Sequence, residues 1–291
     1  MNLGSLDLDA VECLFERYGA HAVTLTDAGK KPLLEPAPGE TPLWADAQIT
    51  GLFSADADLQ ALRASLVAEF NLESLPAHRT EDLPDRDWER EWLRNFGPMQ
   101  FGRRLWICPT GSIVEQADAV IVHLDPGLAF GTGTHATTAL CLEWLDGAGL
   151  VGKTMLDYGC GSGILAIAAL KLGCRSATAM DIDPQAVVAT RRNAEDNAVA
   201  RQLYITADAG GIDGVFDFVA ANILAEPLVQ YAESITSTLA GRGMLVLSGV
   251  LCEQADQVMA AYKPWIEFDR PVFREQDGQT WSRLTGTRSA G

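Results

Sequence analysis

The sequence is short of several things, and each shortage removes a class of protein. No apolar run approaches the ~20 residues that cross a bilayer, so no membrane partner is expected. The N-terminus has no basic segment followed by an apolar one, so no secretory signal is read there. The six cysteines, at 13, 108, 141, 160, 174 and 252, form no C-x-x-C pair and no Cys/His spacing that suits a metal. They read as reduced, mostly buried thiols of a cytoplasmic protein. Basic residues are scarce, with 22 Lys and Arg against 39 Asp and Glu and a net charge of −17. Phosphate binding needs basic clusters, so direct nucleic-acid binding is not expected. An acidic surface instead attracts a basic partner, although acidity also serves solubility alone. Residues 1–97 hold 8 basic and 18 acidic side chains, net −10, and residues 98–291 hold 14 and 21, net −7. The charge is therefore densest at the front.

What is present is enough for a core: 291 residues, 47% hydrophobic, one large domain or two ordinary ones. The most informative stretch is Met155-Leu-Asp-Tyr-Gly-Cys-Gly-Ser-Gly-Ile164. An apolar strand at 154–156 runs into Gly159, Gly161 and Gly163, and an Ala-rich helix follows at 164–172. Strand, glycine turn and helix open a doubly wound unit, whose ligand crevice lies at the carboxyl ends of the strands. A dinucleotide fingerprint, G-x-G-x-x-G, would put its third glycine at position 164, which is Ile. Here the third glycine comes one residue early. That G-x-G-x-G spacing resembles the turn of S-adenosylmethionine-dependent methyltransferases, whose ligand has no pyrophosphate to cradle. A tight turn without a ligand would use the same residues, and Cys160 reads as a small filler.

The following strand tips carry polar residues where such a ligand would lie. The second strand, 176–180, ends at Asp181-Ile-Asp183-Pro184. An acid about 20 residues after the glycines suits ribose hydroxyls, and Asp181 ends the strand. Asp183 before Pro reads as a helix N-cap, opening a helix at 185–197. A third strand, 203–206, leads to Asp208, which suits either the adenine amino group or a solvated loop. A fourth strand, 216–221, ends at Asn222, whose side-chain oxygen can accept from an amine; a cap for the helix starting near 225 is the simpler alternative. Further on, a helix at 226–239, a strand at 244–247, a helix at 253–261 and β-rich runs at 265–273 and 279–284 complete seven strands, with a hairpin at the end.

The front of the chain shows no catalytic constellation. Helices at 9–18 and 56–70 and strands at 21–26 and 47–53 suggest a small ferredoxin-like α+β domain over 1–84. Residues 30–42, with prolines at 32, 36, 38 and 42, are loop. Trp88, Trp92 and Phe96 fall on one face of a helix at i, i+4 and i+8. That stripe reads as packing within a linker helix over 85–97, followed by the main domain over 98–291.

Before the first strand of that main domain comes a second glycine loop, Phe130-Gly-Thr-Gly-Thr-His-Ala-Thr-Thr138, then a helix at 139–145. It is no P-loop, because no Gly-Lys-Ser/Thr follows. It is expected to fold over the methyl donor, bringing Phe130, Thr137 and Thr138 to it, though any threonine could simply cap the helix. His135 reads as structural or as a base.

With this loop the chain resembles the bacterial methyltransferases of ribosomal large-subunit protein eleven, the PrmA family. The matching words are Asp87-Trp-Glu-Arg-Glu-Trp92, Arg104-Leu-Trp-Ile107, residues 125–138, residues 157–163, Asp181-Ile-Asp-Pro184 and Ala221-Asn-Ile-Leu-Ala225. The resemblance implies a Rossmann-like, seven-stranded class I methyltransferase domain behind a ferredoxin-like domain that grips a basic ribosomal protein. It implies transfer of methyl groups from S-adenosylmethionine to lysine side chains and the N-terminal α-amine. By motif, donor contacts fall on Thr138, Gly159, Asp181 and Asn222, with Gly161, Gly163, Thr137 and Phe130 beside them, and Asn222 handles the acceptor. A monomer is expected. Two other readings use the same residues, a lysine methyltransferase with another protein target and a non-catalytic donor-binding factor. Enzymes acting on amides or base amino groups commonly carry Asn/Asp-Pro-Pro-Tyr/Phe at the fourth strand tip, and Asn222-Ile-Leu-Ala lacks it.

Overall fold

A computed structural model describes residues 1–4, 6–27, 47–82, 97–124 and 133–289. They fall into two compact units divided between Arg86 and Asp87. The proline loop at 30–42, the Trp88, Trp92 and Phe96 stripe, and Phe130 lie outside the described residues.

In the first unit, α1 (Leu8–Arg17) and α2 (Leu59–Glu69) begin at Asp7 and Asp58, whose carboxylates accept from Ala10 N and Ala61 N, both at 2.9 Å. Each aspartate satisfies an N–H that the first helical turn leaves without a partner. Strands β1 (Ala20–Asp27) and β2 (Ala47–Phe53) pair antiparallel. Val11, Leu14 and Ile49 are fully buried between these elements, with Leu62 and Leu66. The order α-β-β-α is the middle of the β-α-β-β-α-β ferredoxin-like plan. Of the outer strands, the described residues show one bridge, Asn2 to Gln48, and an Asn2 N–H bond to Ala77 O at 3.0 Å.

The second unit starts with a small sheet, β3 (Met99–Phe101), β4 (Leu105–Cys108) and β5 (Val120–His123), in that order. Then come α3 (Ala136–Gly147), β6 (Thr154–Tyr158), α4 (Ile164–Lys171), β7 (Ser176–Met180), α5 (Pro184–Asp196) and β8 (Leu203–Thr206). The rest is β9 (Phe216–Asn222), α6 (Ala225–Gln230), α7 (Ala232–Ser237), β10 (Leu239–Leu251), α8 (Ala255–Tyr262), β11 (Ile266–Phe268), β12 (Val272–Gln276) and β13 (Gln279–Arg288). The main sheet runs β11-β13-β10-β9-β6-β7-β8, with β12 also paired to β13. Strands β10, β9, β6, β7 and β8 are mutually parallel, while β13 runs antiparallel to β10.

Parallel strands covered on both faces read as continuous apolar runs. Strand β9 does so, with Val219, Ala220 and Ala221 fully buried and Phe218 nearly so. On one face Met155, Phe218 and Ala220 pack against α3 and α4; on the other Leu156, Val219 and Leu247 pack against α6, α7 and α8. From β6 the chain winds outward through β7 and β8, then returns to place β9 on the other side of β6. The order therefore reverses between β6 and β9, and a ligand crevice opens at the carboxyl ends of strands at such a switch point.

Three expectations differ from the structure. The helix expected at 226–239 is two short helices, because Tyr231 leaves helical geometry at φ −100° and ψ 15° and its ring packs 6.5 Å from that of Tyr158. The run at 265–273 is two strands rather than one: Pro271 has no N–H for a ladder, and Asp269 N turns to Thr285 O at 2.8 Å. Among the described residues the sheet accordingly has eight strands, where seven were expected. The strand expected at 244–247 extends over Leu239–Leu251, its register against β9 shifting between Leu239 and Met244.

Candidate active site

The glycine turn follows from conformations that only glycine tolerates well. Gly159, Gly161 and Gly163 take φ of 76°, 53° and 77°. A Cβ on Gly163 would lie 2.6 Å from Thr190 Cγ2, and one on Gly159 would overlap the side chain of Ile223. Thr190 on α5 donates to Gly161 O at 2.9 Å, and Asn193 donates to Ser162 O at 2.8 Å, so α5 holds the turn from outside. Cys160 is buried there with its thiol pushed up by burial, in keeping with a filler.

Gly163 is the N-cap of α4 but has no side chain to cap with. Asp157 does the work from the strand, its Oδ2 accepting from Ala166 N at 3.0 Å. Its Oδ1 is buried with no partner among the described residues. Burial first, and the nearby Asp181 charge second, push its carboxyl up to about 7, against the Ala166 hydrogen bond. Asp157 was not singled out from sequence; the available signal was an acid two residues before the first glycine.

Asp181 lies across the turn. Its Oδ2 accepts from Gly161 N at 2.8 Å and its Oδ1 from Asp183 N at 3.0 Å. Each oxygen keeps a lone pair free for a hydroxyl. Asp183 caps α5 by accepting from Gln185 N at 2.8 Å, with Pro184 in the first turn. Asp208 is exposed and accepts from Gly210 N at 2.9 Å, a local turn that matches its loop reading.

Facing the turn is the start of α3. Thr138 is fully buried, and Asn222 donates from Nδ2 to Thr138 Oγ1 at 3.2 Å. Asn222 Oδ1 is buried with no partner among the described residues. Asn222 does not cap the following helix: α6 has Leu224 as its N-cap, without a side-chain bond. Thr137 is also buried, but its hydroxyl lies 2.8 Å from His135 Nδ1. His135 is the N-cap of α3, its Nδ1 accepting from Thr137 N, and its ring meets Trp281 edge to face at 4.7 Å. Burial lowers its pKa, with Asp277 pulling the other way.

One stripe of α3 is held by the C-terminal hairpin. Ala136 N donates to Gln276 Oε1 at 2.5 Å, Arg283 donates to Leu140 O at 3.0 Å, and Arg274 pairs with Glu143 at 2.7 Å. Residues 136, 140 and 143 recur at helical spacing. None of these hairpin partners carried a signal in the sequence, because each acts across more than 130 residues.

Antiparallel β13 beside parallel β10 separates this sheet from the parallel dinucleotide-binding type, as Ile164 separates the turn. Those two departures make the second unit a class I S-adenosylmethionine-dependent methyltransferase. The family model described as ribosomal protein L11 methyltransferase (PrmA) matches residues 2–289, and the chain belongs to that family. The ribosomal protein L11 methyltransferase of Actinobacillus pleuropneumoniae serotype 3 is 49% identical over 292 residues, spanning 99% of this chain and 98% of the relative. That of Methylococcus capsulatus is 51% identical over 271 residues, spanning 93% and 91%. The crystal structure of the ribosomal protein L11 methylase from Lactobacillus delbrueckii subsp. bulgaricus aligns with a TM-score of 0.60 at 33% identity, covering 67% of this chain and all of that one.

The residues fit an S-adenosylmethionine-sized ligand on their own terms. The glycine turn presents backbone at positive φ beside an acid, Gly161 N donating to Asp181 Oδ2 at 2.8 Å. An acid with accessible lone pairs ends β7, and the orphaned Asn222 Oδ1 ends β9.

Proposed function

We propose that this protein transfers methyl groups from S-adenosylmethionine to lysine side-chain amines and the N-terminal α-amine of ribosomal protein L11. The observation that carries this reading is Asn222 at the strand tip, whose uncharged, buried Oδ1 has no partner among the described residues. Gly159, Gly161 and Gly163 offer backbone to the donor, Asp181 its carboxylate to the ribose, and Thr138 and Phe130 the opposite wall, with Thr137 behind them on His135. When bound, the donor supplies a methyl group already activated on sulfonium.

The chain's own task is alignment, and aligned reactants reach effective molarities of about 10⁵ M or more. The attacking amine must be neutral, although a lysine has an ordinary pKa of ~10.4 and an α-amine ~8. Desolvation at the strand tips favours the neutral form. An amide oxygen at Asn222 accepts an amine hydrogen and aims the lone pair, whereas a carboxylate there would favour the ammonium. The proton leaves to water, so no strong protein base is needed, and His135, held by Thr137 and Trp281, is assigned a structural role.

Residues 1–84 are assigned the grip on the substrate as a ferredoxin-like module, 85–97 the linker and 98–291 the transfer. A basic protein partner suits the net charge of −17. The protein is assigned to the cytoplasm as a monomer without direct nucleic-acid contact; among the described residues no helix is long and apolar enough to cross a membrane. The deciding experiment incubates the protein with labelled donor and purified L11. Mass spectrometry should find methyl groups on lysines and the N-terminus of L11, and no transfer rejects the reading.

A further inference from the structure

The last residues of β9 are held in an unusual way. A Cβ on Gly159, whose φ is 76°, would overlap Ile223 Cγ2, so that methyl rests on the bare backbone of the glycine turn. On the other side a Cβ on Gly249, whose φ is 83°, would lie 2.7 Å from Ile223 C and 3.1 Å from Ile223 N. The peptide of Ile223 is therefore pressed against β10 where β10 has no side chain.

That approach depends on a bulge. Pairing of β10 with β9 ends at Ser248 opposite Asn222, and pairing of β10 with β13 shifts register between Leu247 and Val250. Two fully buried serines sew the bulge shut: Ser248 Oγ donates to Ser282 O and Ser282 Oγ donates to Val250 O, both at 2.9 Å. A bulge disrupts the ladder and is found beside active sites where a side chain must be re-aimed. Here it lies one residue past the strand pair that carries Asn222.

We infer that Ile223 is a positioning residue, wedged between Gly159 and Gly249, that joins the glycine turn and Asn222 into one rigid unit. The inference rests on the role proposed above for Asn222 and adds what sets its aim. The side chain of Ile223 registers Asn222 against the donor turn; the Gly249 bulge keeps its peptide from moving away. Catalysis by alignment makes such a wedge matter, since a 1 Å misplacement can cost about 10²-fold in rate.

The test uses the full chain. Ile223→Ala removes the methyl that rests on Gly159 and should lower kcat at least about tenfold with donor Kd changed less than about twofold. Ile223→Val keeps both γ-carbons and should restore kcat to within about threefold. Without donor, the side-chain amide NMR signal of Asn222 should be one sharp pair in the native and Val proteins, and shifted or broadened in Ala. Gly159→Ala should weaken donor binding, and adding Ile223→Ala should recover part of it. The wedge is overturned if Ile223→Ala leaves kcat and the Asn222 amide unchanged, or if Val and Ala are equally impaired. If the native protein transfers no methyl group, the functional reading fails, and the amide spectra with the Gly159/Ile223 pair still decide the wedge.

Discussion

Asn222 donates from Nδ2 to Thr138 Oγ1 at 3.2 Å, and its Oδ1 is buried with no partner among the described residues. The donation fixes which way the amide faces. A buried acceptor without a partner costs roughly 1–3 kcal/mol, and the amine-binding role proposed for Asn222 rests on that cost.

Asn222→Ala should therefore lower methyl transfer by about 10²-fold or more, the scale seen for removing one preorganised polar group. Donor affinity should fall much less. Steady-state transfer and calorimetry on the same preparation separate the two, and unchanged turnover removes Asn222 from the mechanism.

Asp181 holds Gly161 N and Asp183 N while keeping lone pairs outward. Asp181→Ala should weaken donor binding by about 10- to 100-fold, the worth of a hydrogen bond to a charged group. Calorimetry showing no loss would move the ribose contact elsewhere.

Asp157 gives a pH dependence. Its carboxyl is raised in the fold from an ordinary 3.8 to about 7, burial being the main cause. The native state therefore holds this proton more tightly than the unfolded state does. Its contribution to stability is complete below about pH 4 and is lost as pH rises to about 7. Asp157→Asn keeps an acceptor for Ala166 N but cannot ionise, so it should flatten this part of the stability profile. Urea unfolding of both donor-free proteins between pH 4 and 8 measures the difference, and parallel profiles count against it.

Gly163 has φ 77°, and a Cβ there would lie 2.6 Å from Thr190 Cγ2. Gly163→Ala should cost about 1–2 kcal/mol from the left-handed backbone and about 1–3 kcal/mol from overpacking. Adding Thr190→Ser removes the methyl, while the hydroxyl stays 2.9 Å from the new Cβ, so it should return some of the second part and none of the first. Denaturant midpoints of the three variants show whether the cost divides this way.

Elements that rest on local pattern were legible in the sequence. Strands at 176–180 and 203–206 match their expected bounds, and α1, α2, β1 and β2 match within a few residues. Their apolar periodicity, caps and turn residues lie within a few positions of one another. Asp181 meets the glycine turn at Gly161 N and Asn222 meets Thr138, because each ends a strand or opens a helix at the switch point. What stayed hidden is long-range. The break at Tyr231 depends on a ring more than 70 residues away, Tyr158. Gly249 looks like any strand glycine until Ile223 is set against it. Thr137 carries the same hydroxyl as Thr138 but turns it to His135, a one-residue rotation on α3 that spacing does not reveal.

The clasp on α3 also sets an order of events on the ribosome. Ala136 and Gln276 are 140 residues apart, and Leu140 and Arg283 are 143 apart. At about 5–20 residues per second of synthesis, α3 emerges roughly 7–30 s before its hairpin. Through that interval a nascent chain carries Thr138 on a helix whose first N–H group, that of Ala136, lacks its distant acceptor Gln276. The clasp that ties the start of α3 to the β12–β13 hairpin therefore closes only when synthesis is nearly finished.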